Sequence, residues 1–432
     1  MRVPFTKTTL TNGLDVIVHE DHHVPLVAVS VWYHVGSKNE RPGLTGLAHL
    51  FEHLMFEGAA HQPQGYFEPL QRAGAAINGS TSADRTNYWE VVPKDAVELA
   101  LWMEADRMGW LLPGLTDARF NTQREVVLNE RRQNYENRPY GLAQFALHES
   151  VYPRDHPYRW PTIGDPADLR AATVADARDF FARYYHPANG SLAIAGDIDT
   201  AEALRLSEAL FAEIPSGPPV TPVSAPGAAS RGRRFVLEDR IDLPRLYLAW
   251  PTPALFAPGD AALDLLAHFL ASGRASRLYR RLIHQERLAA DVSASQASRE
   301  LGSLFQVATT AAPGCSLEEL ERAIADEIAR LASDDPLEDE LDRGRAQAEA
   351  SFVYRLQTLG GFGGKADQLN AYNVYCGTPD YFEHDLGRYV AVTADDLKTA
   401  ARQLDPAAAT ALSVVPHGQG ARALKGSRPA FE

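Results

Sequence analysis

The amino-acid sequence predicts an α+β protein of two similar domains, each an antiparallel sheet with helices packed on one side. Three observations carry this reading. Short β-type runs interleave with amphipathic helical runs along the whole chain. A stretch dominated by Pro, Gly and Ser, residues 215–233, lies at mid-chain and has no apolar period. The order of elements before that stretch recurs after it. The expected organisation is an N-terminal domain over 1–214, a linker over 215–233 and a C-terminal homologous domain over 234–432.

The elements follow from local pattern. In residues 6–21 the pair Asn12-Gly13 marks a turn between two β-type runs, and residues 24–36 are rich in Val, Trp and Tyr and read as a strand. Between Gly43 and Gly58 the spacing turns helical, with Leu47, Leu50, Phe51 and Leu54 at i, i+3, i+4 and i+7. A short helix over 67–73 precedes a strand pair at 76–78 and 88–92. Helices are expected over 96–110, over 117–134 with Thr116 as N-cap, over 173–185 and over 201–214, with a strand at 190–198. Beyond the linker, strands are expected at 246–250, 302–312 and 409–415. Helices are expected over 260–270, 276–284, 317–331, 337–357 and 393–404, the last reached through 381–386. The run Leu47-Ala48-His49-Leu50-Phe51 has a counterpart in Leu266-Ala267-His268-Phe269-Leu270, which supports the repeat.

Composition excludes several classes. The chain has 432 residues, 45% hydrophobic and 23% charged, which is ample for large cores without disulfide or metal staples. With 42 Lys+Arg against 56 Asp+Glu the net charge is -14, unlike a nucleic-acid binder, which gains affinity by neutralising phosphates. Cys315 and Cys376 are too few and too far apart for a Cys-based zinc site and read as two buried thiols. No stretch is long and apolar enough to span a bilayer, and no membrane association is expected. The expectation is a soluble cytoplasmic protein, or a periplasmic one if a signal peptide precedes the numbered chain.

The chemistry concentrates in His49-Leu50-Phe51-Glu52-His53, an H-x-x-E-H pattern. On a helix His49 and His53 are one turn apart on one face, so two imidazoles can take two corners of a zinc tetrahedron. Glu52 flanks that position without ligating it and can act as general base toward water held there. A catalytic zinc needs a third protein ligand. Glu130 stands three and four residues beyond Val127 and Val126, aimed at the apolar side of its helix, where a carboxylate is costly unless it is paired or binds metal.

The segment from Gly43 through His49, Glu52 and His53 to Gly58 resembles the metal helix of the pitrilysin-type zinc peptidases, which include mitochondrial processing peptidase and insulin-degrading enzyme. In that family the third ligand is a Glu, with about 76 residues between it and the second His. Here residues 54–129, 76 in number, separate His53 from Glu130. The stretch from Asn78, Gly79 and Ser80 to Tyr88 resembles the family's edge strand, which binds substrate backbone by strand addition. Ser276–Leu282 and Glu286–Leu288 resemble a segment of the family's second domain. The resemblance implies one Zn2+ per chain, a peptide substrate, and a small two-domain subunit that works as a dimer. That dimer is expected with a homologous subunit, or as a homodimer.

Two departures qualify this expectation. Family members with full activity carry a Glu seven residues before the third ligand, and here that position is Gln123. They also use an R-x6-Y pair to polarise substrate, and the matching positions hold Ile283 and Ala290, neither of which can donate a hydrogen bond. The expected function is therefore a zinc endopeptidase subunit that needs a homologous partner carrying the Arg/Tyr pair. The alternative is a non-catalytic, zinc-retaining structural or peptide-binding subunit of a heterodimer. His19, His22 and His23 read as a solvated turn, and residues 360–364 as a flexible glycine loop or hinge.

Overall fold

The computed structural model describes residues 2–228, 232–334, 336 and 338–431. Residues 229–231 of the expected linker, Leu337 at the expected start of a helix, and both chain ends lie outside them. Residues 215–228 form no regular element, and the helix expected from 337 runs Glu338–Gln357.

The first sheet is built from β1 (Thr6–Thr9), β2 (Asp15–Glu20), β3 (Leu26–Tyr33), β4 (Ala76–Thr81), β5 (Thr86–Pro93) and β6 (Gly190–Gly196), in the order β1-β2-β6-β3-β5-β4. The second is built from β7 (Arg234–Asp239), β8 (Arg245–Thr252), β9 (Ala289–Ala297), β10 (Ser303–Ala311), β11 (Thr410–Pro416) and β12 (Arg428–Pro429), in the order β12-β7-β11-β8-β10-β9. With β1 and β12 set aside, the two orders coincide, so the repeat inferred from sequence is a repeat of topology. The sheets are mixed rather than purely antiparallel. β2 runs parallel to β6, and β7 runs parallel to β11 and β12. The reason is the same in each half: a late strand inserts beside the first long one, pairing Asp15 with Ser191 and Arg234 with Ala411, a separation that no local period reveals.

Each sheet also carries a helix on both faces, where helices on one side were expected. On β3, Val27, Val29, Val31 and Tyr33 are fully buried on one face, beneath the Val97–Gly114 helix. The other face bears Ala28, Ser30 and Trp32 and is covered by the Lys365–Cys376 helix, which comes from the C-terminal half of the sequence. The second sheet is completed in the same manner by the Ala143–Val151 helix from the N-terminal half, which packs on β7, β8 and β11. The chain thus divides into two compact units that are not contiguous in sequence. One comprises Met1–Glu130, Trp160–Val223 and Ser351–His384, and the other Arg131–Arg159, Ser224–Ala350 and Asp385–Glu432. The contiguous domains expected at 1–214 and 234–432 are interleaved at 131–159 and 351–384. Composition could not reveal this, because a lent helix has the same amphipathic pattern as a local one. Cys315 and Cys376 are not joined in a disulfide and are half-buried rather than buried.

The lent helix on the first sheet is held by polar contacts that replace an all-apolar seam. Asp367 accepts the Trp32 indole N–H at 2.7 Å, the Asn87 amide N–H at 2.7 Å and the Gly363 backbone N–H at 2.7 Å. Asn370 donates to the Ser30 carbonyl at 2.8 Å and accepts from the Ser191 hydroxyl at 2.8 Å. The glycine loop before this helix lies flat on the sheet. A Cβ on Gly360 would stand 2.6 Å from Val91 Cγ2 and 2.7 Å from Ala28 Cβ. Replacing Asp367 with Ala strips buried donors on Trp32 and Asn87 of their acceptor, and unpaired buried donors cost about 1–3 kcal/mol each. Asp367→Ala is therefore expected to lower the unfolding free energy by about 2–4 kcal/mol, read from the urea midpoint at constant slope. An unchanged midpoint would show that these bonds do not hold the segment.

Candidate metal centre

The motif helix spans Leu47–Leu54 and buries Leu47, Ala48, Leu50, Phe51 and Leu54. The opposite stripe carries His49, Glu52 and His53. Their orientation is set by how the helix begins. Gly46 adopts φ +93°, and a Cβ on it would stand 2.9 Å from the Gly164 Cα, so two glycine backbones touch at the helix entry. Glu40, buried, reaches over this entry and accepts the backbone N–H groups of Gly46 at 2.9 Å and Ala48 at 2.8 Å. It supplies acceptors for amides that the first turn leaves unpaired. Burial pushes the Glu40 carboxyl up to about 8, against the pull of the two amides. Asp168 accepts the Thr45 N–H at 3.1 Å and its hydroxyl at 2.7 Å, holding the residue before Gly46.

Glu130 approaches from the Asp117–Arg131 helix, which buries Phe120, Gln123, Val127 and Leu128. Val126, expected on the apolar side, is 40% exposed, so the helix is rotated toward Val127 and Leu128. Glu130 Oε2 lies 3.3 Å from His53 Nε2 and 3.7 Å from His49 Nε2. Bonds of about 2.0–2.1 Å in a tetrahedron separate zinc ligands by roughly 3.4 Å, so these three donors are spaced as a zinc ion requires. Burial pushes the His49 imidazole down to about 4, with His53 adding to the shift and Glu130 opposing it. His49 is therefore neutral, the form that ligates. Its second nitrogen, Nδ1, is buried with no hydrogen-bond partner among the described residues. The residues fit a single zinc ion with an open fourth position.

Glu52 stands beside this triad. Its Oε2 accepts the Thr81 hydroxyl at 2.7 Å, and burial raises its carboxyl above the usual range. Gln123 does not reach the triad. Its amide donates to Glu57 Oε1 at 2.7 Å. A Glu at 123 would set two carboxylates face to face there, so the amide suits its neighbour.

The residues expected to meet substrate divide. β4 ends the sheet order and pairs with β5, leaving one backbone edge for strand addition. Asn78 is exposed, Ser80 half-buried and Gly79 buried. The Asn78 side chain accepts the Gly79 N–H at 2.8 Å, and Arg85 donates to the Ser80 carbonyl at 2.8 Å, so side chains guard the edge. Tyr88 is a correction: it is fully buried, its ring beneath Gly79 and its hydroxyl donating to the Phe51 carbonyl at 3.4 Å, and it cannot face a docked chain. In the second unit Ile283 is half-buried and Ala290 exposed. At the positions equivalent to Glu52 and His53, extending the match of His49 with His268, stand Ala271 and Ser272. His22 pairs with Asp197, just after β6, at 2.5 Å and with Glu20 at 3.0 Å. Glu20, His22 and Asp199 are grouped closely enough for a cation but are exposed.

Glu40, Thr81 and Glu57 went unnoticed in the sequence. Thr81 was accessible from strand alternation, being two residues beyond Gly79 on the face toward the motif helix. Glu40 offered no local signal, since its amides lie six and eight residues away. Glu40→Gln presents an NH2 to one of two amides that now meet oxygen. It is expected to cost about 1–3 kcal/mol of unfolding free energy, measured by thermal or urea denaturation. Wild-type stability in this variant would show that the carboxylate does not hold the helix entry.

Comparison with known proteins agrees with this geometry. Residues 15–164 match the family model described as Insulinase (Peptidase family M16), and residues 171–348 match the one described as Peptidase M16 inactive domain. The chain is 29% identical to the zinc protease PqqE of Helicobacter pylori over 379 residues, covering 86% of this chain and 85% of that one. It is 25% identical over 338 residues to a probable mitochondrial-processing peptidase subunit beta of Arabidopsis thaliana, covering 75% of this chain and 62% of that one. The crystal structure of a protease from Helicobacter pylori shares the fold, with a TM-score of 0.86 and 24% identity over 96% of this chain and 100% of that one. Both halves match models of one family, and the chain belongs to the insulinase, or pitrilysin-like, M16 peptidase family.

Proposed function

We propose that the chain is the zinc-bearing subunit of an endopeptidase that hydrolyses extended peptides. The observation that carries this reading is the convergence of His49, His53 and Glu130 to zinc-ligand spacing with Glu52 beside them. His49, His53 and Glu130 would hold one zinc ion. Zinc, when bound, supplies Lewis acidity toward water and the scissile carbonyl. Glu52 takes a proton from the attacking water and returns it to the leaving amine. The Thr81 hydroxyl orients that carboxylate, and burial raises its pKa above the usual carboxylate range, which makes it a stronger base. The β4 edge at Asn78, Gly79 and Ser80 aligns the peptide backbone as an added strand, with the Tyr88 ring supporting it from beneath.

The second half of the apparatus is a homologous subunit that supplies the Arg/Tyr pair. Ile283 and Ala290 offer no donor for a developing oxyanion. The Arabidopsis relative is itself named as a subunit. A second reading is a non-catalytic zinc-retaining subunit that binds peptide. The description of the model matched over 171–348 as an inactive domain favours it, as does the neutral Gln123.

Glu52→Gln keeps an acceptor for Thr81 and removes the base. Peptide hydrolysis by the chain with its partner is expected to fall about 10²–10⁴-fold, with zinc per chain unchanged by metal analysis. Full activity in this variant would favour the non-catalytic reading. Chelation is expected to abolish hydrolysis, and added zinc to restore it. Full hydrolysis by the purified chain alone would overturn the need for a partner.

A further inference from the structure

Beneath the edge strand lies a buried ionic network that the sequence did not announce. Arg107, Glu104 and Glu90 are at most 1% exposed. Arg107 Nε donates to Glu104 Oε2 at 2.8 Å, and its Nη2 donates to the other Glu104 oxygen. The Tyr66 hydroxyl donates to Glu104 at 2.9 Å and lies 3.4 Å from Glu90. The guanidinium is stacked between rings, 3.9 Å from the centre of Tyr66 and 4.0 Å from that of Tyr88, with Phe56 at 5.6 Å. Tyr33 Oη, Glu90 Oε2 and Arg107 Nη1 have no partner among the described residues, so the network is not built for maximal stability.

What these rings support is the peptide-docking edge. A Cβ on Gly79 would stand 3.0 Å from Tyr88 and 3.1 Å from Phe56, so β4 rests directly on the two rings that Arg107 holds. Tyr88 also bonds the Phe51 carbonyl of the motif helix, and Phe56 follows that helix by two residues. One guanidinium therefore contacts the motif-helix exit through Phe56, the strand beside the edge through Tyr88, and the short Phe67–Arg72 helix through Tyr66 at its N-cap. Burying an arginine costs several kcal/mol before its partners compensate, and apolar side chains fill such a space more cheaply. A planar, doubly bonded cation fixes distances that apolar packing leaves adjustable. Burial raises the Glu90 carboxyl well above its usual range, with Glu104 adding to the shift.

We propose that Arg107, with Glu104, is a positioning residue that sets the distance between the peptide-docking edge at Gly79 and the zinc-binding helix. It touches neither substrate nor metal. This rests on the peptidase reading for its purpose, but its structural part is testable without catalysis.

The experiment compares the full-length chain with the neutral pair Arg107→Met/Glu104→Gln and with Arg107→Lys, each checked for zinc content and cooperative unfolding. In the free protein, backbone amides of residues 76–81 are expected to exchange about tenfold faster in the neutral pair, while those of 47–54 keep their rate. With the partner present, KM for an extended peptide is expected to rise about tenfold with kcat within about threefold, and Arg107→Lys to recover part of the loss. Wild-type exchange at 76–81 in a folded, zinc-loaded neutral pair overturns the proposal, as does a KM equal to wild type. If the neutral pair does not fold, Arg107→Lys decides alone, by the same two readouts. A wild-type chain that never cleaves peptide sinks the peptidase reading, and the exchange measurement still decides this one.

Discussion

The site depends on how a helix of eight residues is held at its ends. A helix this short has nearly as many unpaired backbone groups as paired ones and is not stable on its own. Leu47–Leu54 is fixed by Glu40 on the amides of Gly46 and Ala48, and by the contact of Gly46 with Gly164. At its exit Gly58 adopts φ +101°, where a Cβ would stand 2.4 Å from the Gln62 carbonyl. Between these ends Phe51 packs against Phe180 at 5.9 Å and Tyr185 at 5.2 Å. With both ends and one face fixed, the remaining stripe has one orientation, and it carries His49, Glu52 and His53. Glu130 meets them because Phe120, Val127 and Leu128 seat its own helix.

The interleaving of segments follows a comparable logic. A six-stranded sheet with helices on one face leaves the other face to be covered, and each unit obtains that cover from the other half of the sequence. The first sheet prepares its second face with Ser30, Trp32, Asn87 and Ser191, all of which have polar partners on the lent helix. A buried polar seam is unforgiving of wrong partners, because each unpaired group costs about as much as a hydrogen bond contributes, or more. The seam therefore selects the Lys365–Cys376 helix over other amphipathic helices of similar apolar pattern.

Local pattern accounts for what was legible. Short runs of β-type residues marked β2, β3, β6, β8, β10 and β11, which are buried on both faces and so read as continuous apolar segments, and the 3.6 period marked the motif helix and most longer ones, because each of those helices buries one stripe of a local segment. The proposed metal ligands were legible for a similar reason: His49 and His53 at i and i+4 on a helix are a local relation, and Glu130 stood out as a carboxylate on the apolar side of its own helix, a reading that the family spacing then joined to the motif. Strand β7, with a mixed burial pattern, and β9, with alternating exposure but few large apolar residues, passed unseen. So did the Lys365–Cys376 helix, whose polar residues face inward. Parallel insertion of β6 and β11, the exchanged segments and the Arg107 network are relations between distant residues, which periodicity does not encode. Tyr88 was misjudged because strand period says that it alternates with its neighbours but not which face of an edge pair is covered.

The distribution of losses distinguishes a catalytic remnant from a structural one. A structural zinc closes its coordination with four protein ligands, whereas the described residues bring three to this site. Glu52 is not among the three grouped donors, and burial raises its pKa against the pull of Thr81 and His53, a cost that a structural site would shed by carrying a neutral residue there. Instead Thr81 is placed to orient it. The neutral Gln123 stands where its neighbour Glu57 disfavours a second carboxylate, so that departure is local in origin and leaves the triad intact. Ile283 and Ala290 are a different matter: neither side chain can donate a hydrogen bond. On the proposed reading, a chain that keeps Glu52 with the Thr81 hydroxyl upon it, and has Ile283 and Ala290 where donors are expected, is better matched to a partner's donors than to a site without chemistry.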